Sequence, residues 1–219
     1  MNVLITGGNG DIGKAIVDEY IYQGHQVFSP SSKELDLNSI KSIDNYFKKD
    51  NKINIFIHCA GINNPAPFLK LDNDNFEKTL NINTLSCIKI VKFLLPNMIE
   101  NKFGRIINIS SLWSILSSNQ RIAYSVSKAA LDASTRNLAV EFGNSNVLVN
   151  SILPGFVETK LTRKNLSDKR IAQIIKDTPI HRLINVDDVA KTAYFLGSDK
   201  NQSITGQSIV IDGGYSICR

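Results

Sequence analysis

The sequence has few of the residues that cross-link a chain or break its regular structure: 219 residues include three cysteines, six prolines and 13 glycines. So little proline and glycine excludes collagen-like and low-complexity character, and 42% hydrophobic residues exclude disorder. Cys59, Cys87 and Cys218 have spacings that suit no zinc site, so we expect reduced thiols and no metal. A chain of this length buries about 70% of its unfolded surface and needs no disulfide.

Long apolar runs are also missing. No stretch approaches the roughly 18 consecutive apolar residues of a membrane span. Glycines at positions 7, 8 and 10 interrupt the first apolar run where a signal peptide would continue, so we expect a cytoplasmic, soluble protein without a membrane partner. The net charge of +5 could indicate nucleic acid, but the basic residues are scattered rather than clustered, which favours a solvated basic surface and no nucleic-acid partner.

Short apolar runs alternate with longer amphipathic segments along the whole chain. The runs predict strands at residues 3–5, 26–28, 53–58, 105–109, 147–153 and 208–211. Helical periodicity and caps predict helices at residues 12–23, 38–49, 76–98 (after Asp72 as N-cap), 122–142 and 186–196. Strands separated by helices require crossover connections, and their continuous apolar character fits burial on both faces. The sequence therefore predicts one α/β domain with a doubly wound parallel sheet.

A glycine turn, residues 6–13 with the sequence TGGNGDIG, lies between the first predicted strand and the first helix. Ligands of such sheets bind beyond the carboxyl ends of the strands. Glycines let the backbone approach a pyrophosphate, and the amides that open the helix point at the anion. The Lys-Ser/Thr ending of a P-loop is absent, which argues against a nucleoside triphosphatase. The alternative of a plain tight turn stays open at this point.

Two residues near the start of the long helix, Tyr124 and Lys128, are four positions apart and therefore share one helical face. A tyrosine with a pKa of about 10 is a poor acid or base at neutral pH. A nearby cation lowers the cost of forming its phenolate. Ser111 follows the fourth predicted strand, at the carboxyl edge of the sheet. Such a Tyr–Lys pair alone is most often a surface pair, but together with the glycine turn and Ser111 it predicts a catalytic site.

These motifs occur in the order and spacing of the short-chain dehydrogenase/reductase family, and the resemblance covers essentially the whole chain. They are the glycine turn, Cys59-Ala60-Gly61, Ser111, Tyr124 with Lys128, Pro154-Gly155 and Asp212-Gly213-Gly214. The chain most resembles the 3-oxoacyl-[acyl-carrier-protein] reductase-like branch, on residues 104–111, 178–182 and 211–214. The resemblance implies a Rossmann-type domain and an NAD(P)-dependent oxidoreductase that reduces a ketone, such as a 3-oxoacyl thioester, by hydride transfer.

The resemblance also implies roles for single residues. Tyr124 would be the general acid, Lys128 would lower its pKa and hold the nicotinamide ribose, and Ser111 would hydrogen-bond the substrate oxygen. Asn83 falls at the family's structural and proton-relay asparagine. The expected cofactor-binding residues are Gly7, Asn9, Gly10, Asp11, Ile12, Gly13, Ser31, Ser32, Lys33, Asp36, Cys59, Ala60, Gly61, Tyr124, Lys128, Pro154, Gly155 and Thr159.

Two positions depart from the family pattern. Asp11 replaces the middle glycine of the turn, and Cys59 replaces an asparagine. Read as TGxxGxxG, the turn also matches the extended branch, which includes sugar-nucleotide epimerases and dehydratases and carries an additional C-terminal substrate region. Only a short tail, residues 215–219, follows the last predicted strand and its Asp212-Gly213-Gly214 ending, which favours the shorter branch.

The choice of cofactor depends on the loop after the second strand. Residues 29–33 read SPSSK, with no acid at the strand end to accept a hydrogen bond from the 2′-hydroxyl of NAD. Ser31, Ser32 and Lys33 suit a 2′-phosphate better, so the sequence favours NADP(H), with NAD(H) as the alternative. A cofactor-sensing regulatory protein on the same fold is a rival interpretation, but it would not need Ser111, Tyr124 and Lys128 together.

Residues 156–185 follow Pro154-Gly155 at a strand end and are polar, so we expect them to form a lid over a small-molecule carbonyl or alcohol substrate. Trp113, two residues after Ser111, is expected to line the pocket. The lid is basic. Its positive charges either attract an anionic substrate or only make up a solvated helical face. The helices at 72–98 and 122–142 carry more apolar residues than one buried face requires, and the resemblance places the family's dimer face there. We therefore expect a homodimer or homotetramer. The surplus apolar residues include Leu85, Ile88, Val91, Leu131, Leu138 and Val140.

Overall fold

The computed structural model of the protein describes residues 1–48 and 52–218. Six strands form one parallel sheet in the order β2-β1-β3-β4-β5-β6. They are β1 (Asn2–Thr6), β2 (Gln26–Phe28), β3 (Ile55–His58), β4 (Gly104–Ile109), β5 (Val147–Pro154) and β6 (Ser208–Ile211). The predicted doubly wound fold is therefore confirmed. The strand order reverses at β1, so a crevice opens beyond the carboxyl ends of β1 and β3, where such folds bind ligands.

Helices cover both faces of the sheet. They are α1 (Asp11–Tyr22), α2 (Ile40–Phe47), α3 (Asn73–Leu80), α4 (Ser86–Glu100), α5 (Ile122–Phe142), α6 (Lys160–Asn165), α7 (Asp168–Asp177) and α8 (Val186–Gly197). Phe56 and Leu94 belong to the core on the α4–α5 side, and Ile16 and Ile57 to the core on the α1–α8 side. Each apolar strand thus fills two cores, which explains its continuous hydrophobic character.

Most predicted boundaries agree with the structure to within two residues, and those of β2, β6 and α5 agree at both ends. The predicted helix at 38–49 is observed as α2, with Ser39 as its N-cap, and Lys49 lies outside the described residues. No element was predicted for the polar residues 158–177, where the structure has α6 and α7. Both are short helices that begin at a side-chain cap: Thr159 accepts from the Thr162 amide, and Ser167 from the Arg170 amide.

The segment Asn73–Glu100 is one long helical stretch, in which the π-helical turn Asn81–Leu85 joins α3 to α4. The side chain of Asp72 accepts from the Asp74 amide, as predicted for the N-cap. Within residues 1–48 and 52–218 this stretch alone has the length and composition to cross a membrane. Half of its apolar window is buried inside the domain, as is typical of a core helix in a folded protein.

Candidate active site

The glycine turn lies at the carboxyl end of β1 and packs against the segment after β3. Gly7 has φ +75°, and a Cβ there would lie only 2.6 Å from the backbone nitrogen of Ala60. A Cβ at Gly13 would collide with the carbonyl oxygen of Gly7. Both glycines are therefore required by close backbone contacts, Gly7 also by its left-handed conformation.

The start of α1 fits an anionic group. Its N-cap, Gly10, is extended (φ −79°, ψ 161°), and no side chain of the described residues caps the helix. The first amides of a helix lack intrahelical acceptors, so the N–H groups of residues 11–13 remain available to a ligand. A Cβ at Gly10 would meet only the Gly7 oxygen, at 3.5 Å, so the space beside the turn is open. This arrangement fits the pyrophosphate of a dinucleotide.

The loop after β2 lies beside the glycine turn, because a Cβ at Gly8 would collide with the Ser29 hydroxyl. Both the amide and the hydroxyl of Ser31 donate to Oε2 of Glu34, each at 2.8 Å, and these bonds lower the pKa of Glu34. No acid lies directly at the strand end, but the expectation that the loop holds no carboxylate is wrong: Glu34, six residues beyond the end of β2, folds back onto Ser31. Ser32 and Lys33 are exposed. Asp36 is exposed too, and accepts from the Asn38 amide at 2.9 Å.

The structure brings Ser111, Tyr124 and Lys128 together at the carboxyl edge of the sheet. Ser111 follows β4, and its oxygen accepts from the Trp113 amide at 3.2 Å, which fixes the side chain. Tyr124 lies in the first turn of α5, close enough to the Ser111 hydroxyl for that side chain to influence its phenol. The Lys128 ammonium lies 5.7 Å from the centre of the Tyr124 ring and donates to the Ile109 oxygen at 2.7 Å.

Burial controls the titration of this group. It raises the pKa of Tyr124 above its ordinary value, while the neighbouring Ser111 hydroxyl and the charge of Arg121 act in the opposite direction. The expectation of a tyrosine pKa lowered by Lys128 is therefore not met, because desolvation outweighs the nearby charges. The phenol stays protonated at neutral pH, which a proton donor requires. Burial also lowers the pKa of Lys128, to about 8.

Asn83 lies in the π-helical turn and connects the segment after β3 to α5. Its Oδ1 accepts from the Ile62 amide at 2.8 Å, and its Nδ2 donates to the Ile62 oxygen and to the Ser127 hydroxyl, both at 3.0 Å. A Cβ at Gly61 would lie 3.3 Å from Asn83 Oδ1 and 3.5 Å from the Lys128 nitrogen. Gly61 thus lies directly beside the Lys128 ammonium. Burial raises the pKa of the Cys59 thiol to about 11, so Cys59 is neutral here.

His58 is a site residue that the sequence reasoning missed. It is fully buried at the end of β3, with Nε2 3.2 Å from the Asn83 oxygen and Nδ1 3.0 Å from the Thr6 hydroxyl. A carbonyl oxygen only accepts, so Nε2 carries the proton and the Thr6 hydroxyl donates to Nδ1. His58 therefore links the glycine turn to the backbone of the π-helical turn. Its sequence signal was a histidine within an apolar strand directly before Cys59-Ala60-Gly61.

We expect His58 to make the fold sensitive to acid. Burial lowers its pKa from 6.5 to about 3, so between these pH values the unfolded chain binds a proton that the folded protein does not. The stability is fully present above pH 6.5 and falls by about 1.4 kcal/mol per pH unit as the pH decreases toward 3. Urea unfolding at several pH values measures this slope. His58→Asn should flatten it and His181→Asn, at an exposed position, should not; equal slopes in all three proteins would contradict the assignment.

Residues 156–185, the expected lid, are anchored at their base. Val157 pairs with Ile184, the Glu158 amide donates to the Ile184 oxygen at 2.8 Å, and α6 and α7 lie between these anchors. Phe156 packs edge-on against Trp113, with ring centres 6.2 Å apart. The lid therefore begins next to the turn that carries Ser111, and Trp113 contacts its base. Pro154 and Gly155 end β5 directly before the lid, and Thr159 is the N-cap of α6.

Comparison with known proteins agrees with this geometry. Residues 9–216 match the model of the family described as enoyl-(acyl carrier protein) reductase. The chain is 31% identical over 217 residues to the 3-oxoacyl-[acyl-carrier-protein] reductase FabG of Chlamydia trachomatis, covering 98% of this chain and 87% of that protein. It is 32% identical to the FabG of Rickettsia conorii, covering 96% of this chain and 95% of that protein.

Two solved structures are similar over nearly the whole chain. A 4-hydroxyisoleucine dehydrogenase complexed with NADH has a TM-score of 0.93 and 28% identity, covering 99% of this chain and 98% of that one. A protein described as an NAD(P)-dependent gluconate 5-dehydrogenase from Beutenbergia cavernae, with bound NADP, has a TM-score of 0.92 and 25% identity, covering 99% and 96%.

Proposed function

Because the chain belongs to the short-chain dehydrogenase/reductase family, in its 3-oxoacyl-[acyl-carrier-protein] reductase-like branch, we propose that Ser111, Tyr124 and Lys128 carry out its catalysis. The protein is an NAD(P)-dependent oxidoreductase that acts on a CH–OH/C=O pair. The observation that supports the residue assignment is the grouping of the three side chains: Ser111 is close enough to influence the Tyr124 phenol, and the buried Lys128 ammonium lies 5.7 Å from the centre of the Tyr124 ring. We also propose one catalytic domain with residues 156–185 as its lid, and a cytoplasmic location.

The roles follow from the chemistry of carbonyl reduction. A nicotinamide cofactor held by the glycine turn and Lys128 would supply the hydride for the carbonyl carbon. The Tyr124 phenol donates its proton to the carbonyl oxygen, and the Ser111 hydroxyl hydrogen-bonds the same oxygen and positions it. The Lys128 ammonium, close to the Tyr124 ring, stabilises the phenolate that remains after the transfer. Asn83 and Gly61 keep the segment after β3 beside Lys128.

The assay for this function is NADPH oxidation with a panel of 3-oxoacyl thioesters, simple ketones and sugar ketones, and NADP⁺ reduction with the matching alcohols. We propose a 3-oxoacyl thioester as the best substrate, on the resemblance to FabG and the basic lid. Within the lid, Arg163 is neutralised by Glu158 through two bonds of 2.7 and 2.6 Å, whereas Lys164, Lys169 and Arg170 are exposed. No turnover with any carbonyl or alcohol would contradict the enzyme assignment.

For the cofactor we propose NADP(H), with NAD(H) as the alternative, since the similar structures include one with NADH and one with NADP. Wild-type kcat/KM should favour NADPH over NADH by a factor of tens, because the loop offers hydroxyls and an ammonium but no arginine fork. Ser31→Asp should reverse the preference. Equal or better use of NADH by the wild type would contradict this interpretation of the loop and leave the reductase assignment intact.

Glu34 should limit that preference, because its carboxylate occupies both Ser31 donors and repels a 2′-phosphate. Glu34→Gln is therefore expected to raise the NADPH/NADH ratio of kcat/KM about tenfold, as the loss of one competing charge-assisted contact predicts. Glu77→Gln makes the same charge change on the exposed face of α3 and should leave the ratio unchanged. A ratio that does not rise in Glu34→Gln would show that Glu34 does not compete with the phosphate.

We propose that α4 and α5 form the contact with a second copy. Not all six residues expected on that face can take part: Val91 and Leu131 are fully buried in the core. Their helices are apolar on two sides, and the sequence does not show which side faces the sheet. The exposed apolar residues on these helices are Leu85, Phe93, Ile99, Ile122, Val126 and Val140. A cleft of about 340 Å³ beside the start of α5 is lined partly by Phe68, Ile122 and Val126.

Light scattering at micromolar concentration is expected to show a homodimer or homotetramer. Val126→Asp should shift the assembly to smaller species, since it places a charge in the apolar patch that the contact would bury. Leu161→Asp, at an exposed apolar position on the lid, should leave the assembly unchanged. A monomeric wild type would contradict the proposed contact.

A further inference from the structure

Asp11, which replaces a glycine of the family's turn, makes a hydrogen bond to a distant part of the chain. Its Oδ2 accepts from the backbone N–H of Lys160 at 2.7 Å, across 149 positions of sequence. Lys160 is the first residue of α6, so its N–H has no acceptor within its own helix. A carboxylate at the N-terminus of α6 also interacts favourably with the dipoles of the peptide groups in that helix. The first residue of α1 is thus bound to the first residue of α6.

The helix α6 has little else to hold it in place. None of its residues is buried, and Leu161 is 60% exposed. By contrast, α7 is anchored by Ile171 and Ile174, which pack in an apolar cluster with Tyr215. The Thr159 cap and the Glu158–Arg163 ion pair lie within the lid itself. In the part of the chain that the structure describes, the Asp11 bond is the one hydrogen bond between α6 and the glycine turn.

We propose that Asp11 is a positioning residue that fixes α6, and with it Thr159, beside the cofactor-binding turn. The inference rests on the proposed function for the identity of that cofactor, but the contact itself does not. A carboxylate next to the amides of residues 11–13 repels an anion, so Asp11 has a cost for cofactor binding. Removing it should therefore have two effects of opposite sign: α6 becomes less ordered, and the pyrophosphate is repelled less.

Limited trypsin digestion measures the first effect without any substrate, since α6 contains Arg163 and Lys164 as cleavage sites. Asp11→Ala should speed cleavage after these residues about tenfold, as expected for the loss of one hydrogen bond to a charged group. Asp18→Ala removes another exposed acid from α1, one that pairs with Lys14, and should cleave at the wild-type rate. Wild-type cleavage of α6 in Asp11→Ala would overturn the proposal.

The donor side gives an independent and closely matched pair of variants. Lys160→Pro removes the side chain together with the N–H at the first helical position, where proline is tolerated, and Thr159 before it is already extended. Lys160→Ala removes the same side chain and keeps the N–H. Trypsin should cleave Lys160→Pro as fast as Asp11→Ala, and Lys160→Ala at the wild-type rate. The double variant Asp11→Ala/Lys160→Pro should be cleaved no faster than either single variant, because both changes remove the same hydrogen bond. Equal cleavage of the proline and alanine variants overturns the proposal, even where Asp11→Ala fails to fold.

NADPH binding, followed by the fluorescence of the single tryptophan Trp113, measures the second effect. Asp11→Ala should bind NADPH at least as tightly as the wild type, while KM for the carbonyl substrate rises about tenfold. A residue that only stabilised the fold would weaken both. Weaker NADPH binding by a folded Asp11→Ala overturns the positioning role. An inactive wild type would contradict the proposed function but would not change the digestion results, so the two failures are distinguishable.

Discussion

Replacing Tyr124 by phenylalanine is expected to lower kcat by about 10³-fold or more while cofactor affinity stays nearly unchanged. The substitution removes only the phenol oxygen, which is the proton donor, and keeps the ring that packs near Lys128. Because burial raises the pKa of Tyr124, the wild-type phenol is protonated across the neutral range and the loss should be equally large from pH 6 to 8.

The measurement is steady-state NADPH oxidation with the best carbonyl substrate, together with NADPH binding in its absence. Tyr22→Phe, at an 84% exposed position, is the control and should keep wild-type kcat. A Tyr124→Phe protein that retains most of its kcat would contradict the catalytic assignment. If the protein were instead a cofactor-sensing regulatory protein, the wild type itself would bind NADPH without turnover.

The grouping of Ser111, Tyr124 and Lys128 was predictable from sequence because parallel strands bring the segments after their carboxyl ends to one edge of the sheet. The bounds of α5 were predictable because a long segment with a regular apolar period at helical spacing is typical of a helix. The lid helices were not, because α6 and α7 are short and polar and depend on the caps Thr159 and Ser167.

The individual hydrogen bonds around the site could not be predicted from the sequence. The direction of the Glu34 side chain decides whether the loop offers Ser31 to a phosphate, and no periodicity encodes that direction. Asp11 and α6 are 149 positions apart, with several strands and helices between them. Their contact depends on how these elements pack together to bring α6 back to the glycine turn. Such contacts follow from tertiary geometry, whereas strands and helices follow from local pattern.

Replacing two glycines of the same turn by alanine should affect different properties. Gly13→Ala should lower the stability of the fold, and Gly10→Ala should lower the affinity for the cofactor. A Cβ at Gly13 would collide with the Gly7 oxygen and lie 2.9 Å from the Cα of Gly8. These neighbours are backbone atoms, so the turn itself must move. Gly13→Ala is therefore expected to cost about 3 kcal/mol of unfolding free energy or more, although alanine normally stabilises a helix relative to glycine.

Gly10→Ala tests the neighbouring space. Gly10 has φ −79°, which alanine adopts freely, and its nearest neighbour would be the Gly7 oxygen at 3.5 Å, an ordinary contact. The stability should change by less than about 0.5 kcal/mol. The added methyl enters the open space assigned to the pyrophosphate, so NADPH affinity should fall about tenfold or more. Urea unfolding and NADPH titration of both variants measure the two effects. Wild-type NADPH affinity in Gly10→Ala would show that the cofactor does not occupy this space, and wild-type stability in Gly13→Ala would contradict the packing of the turn against itself.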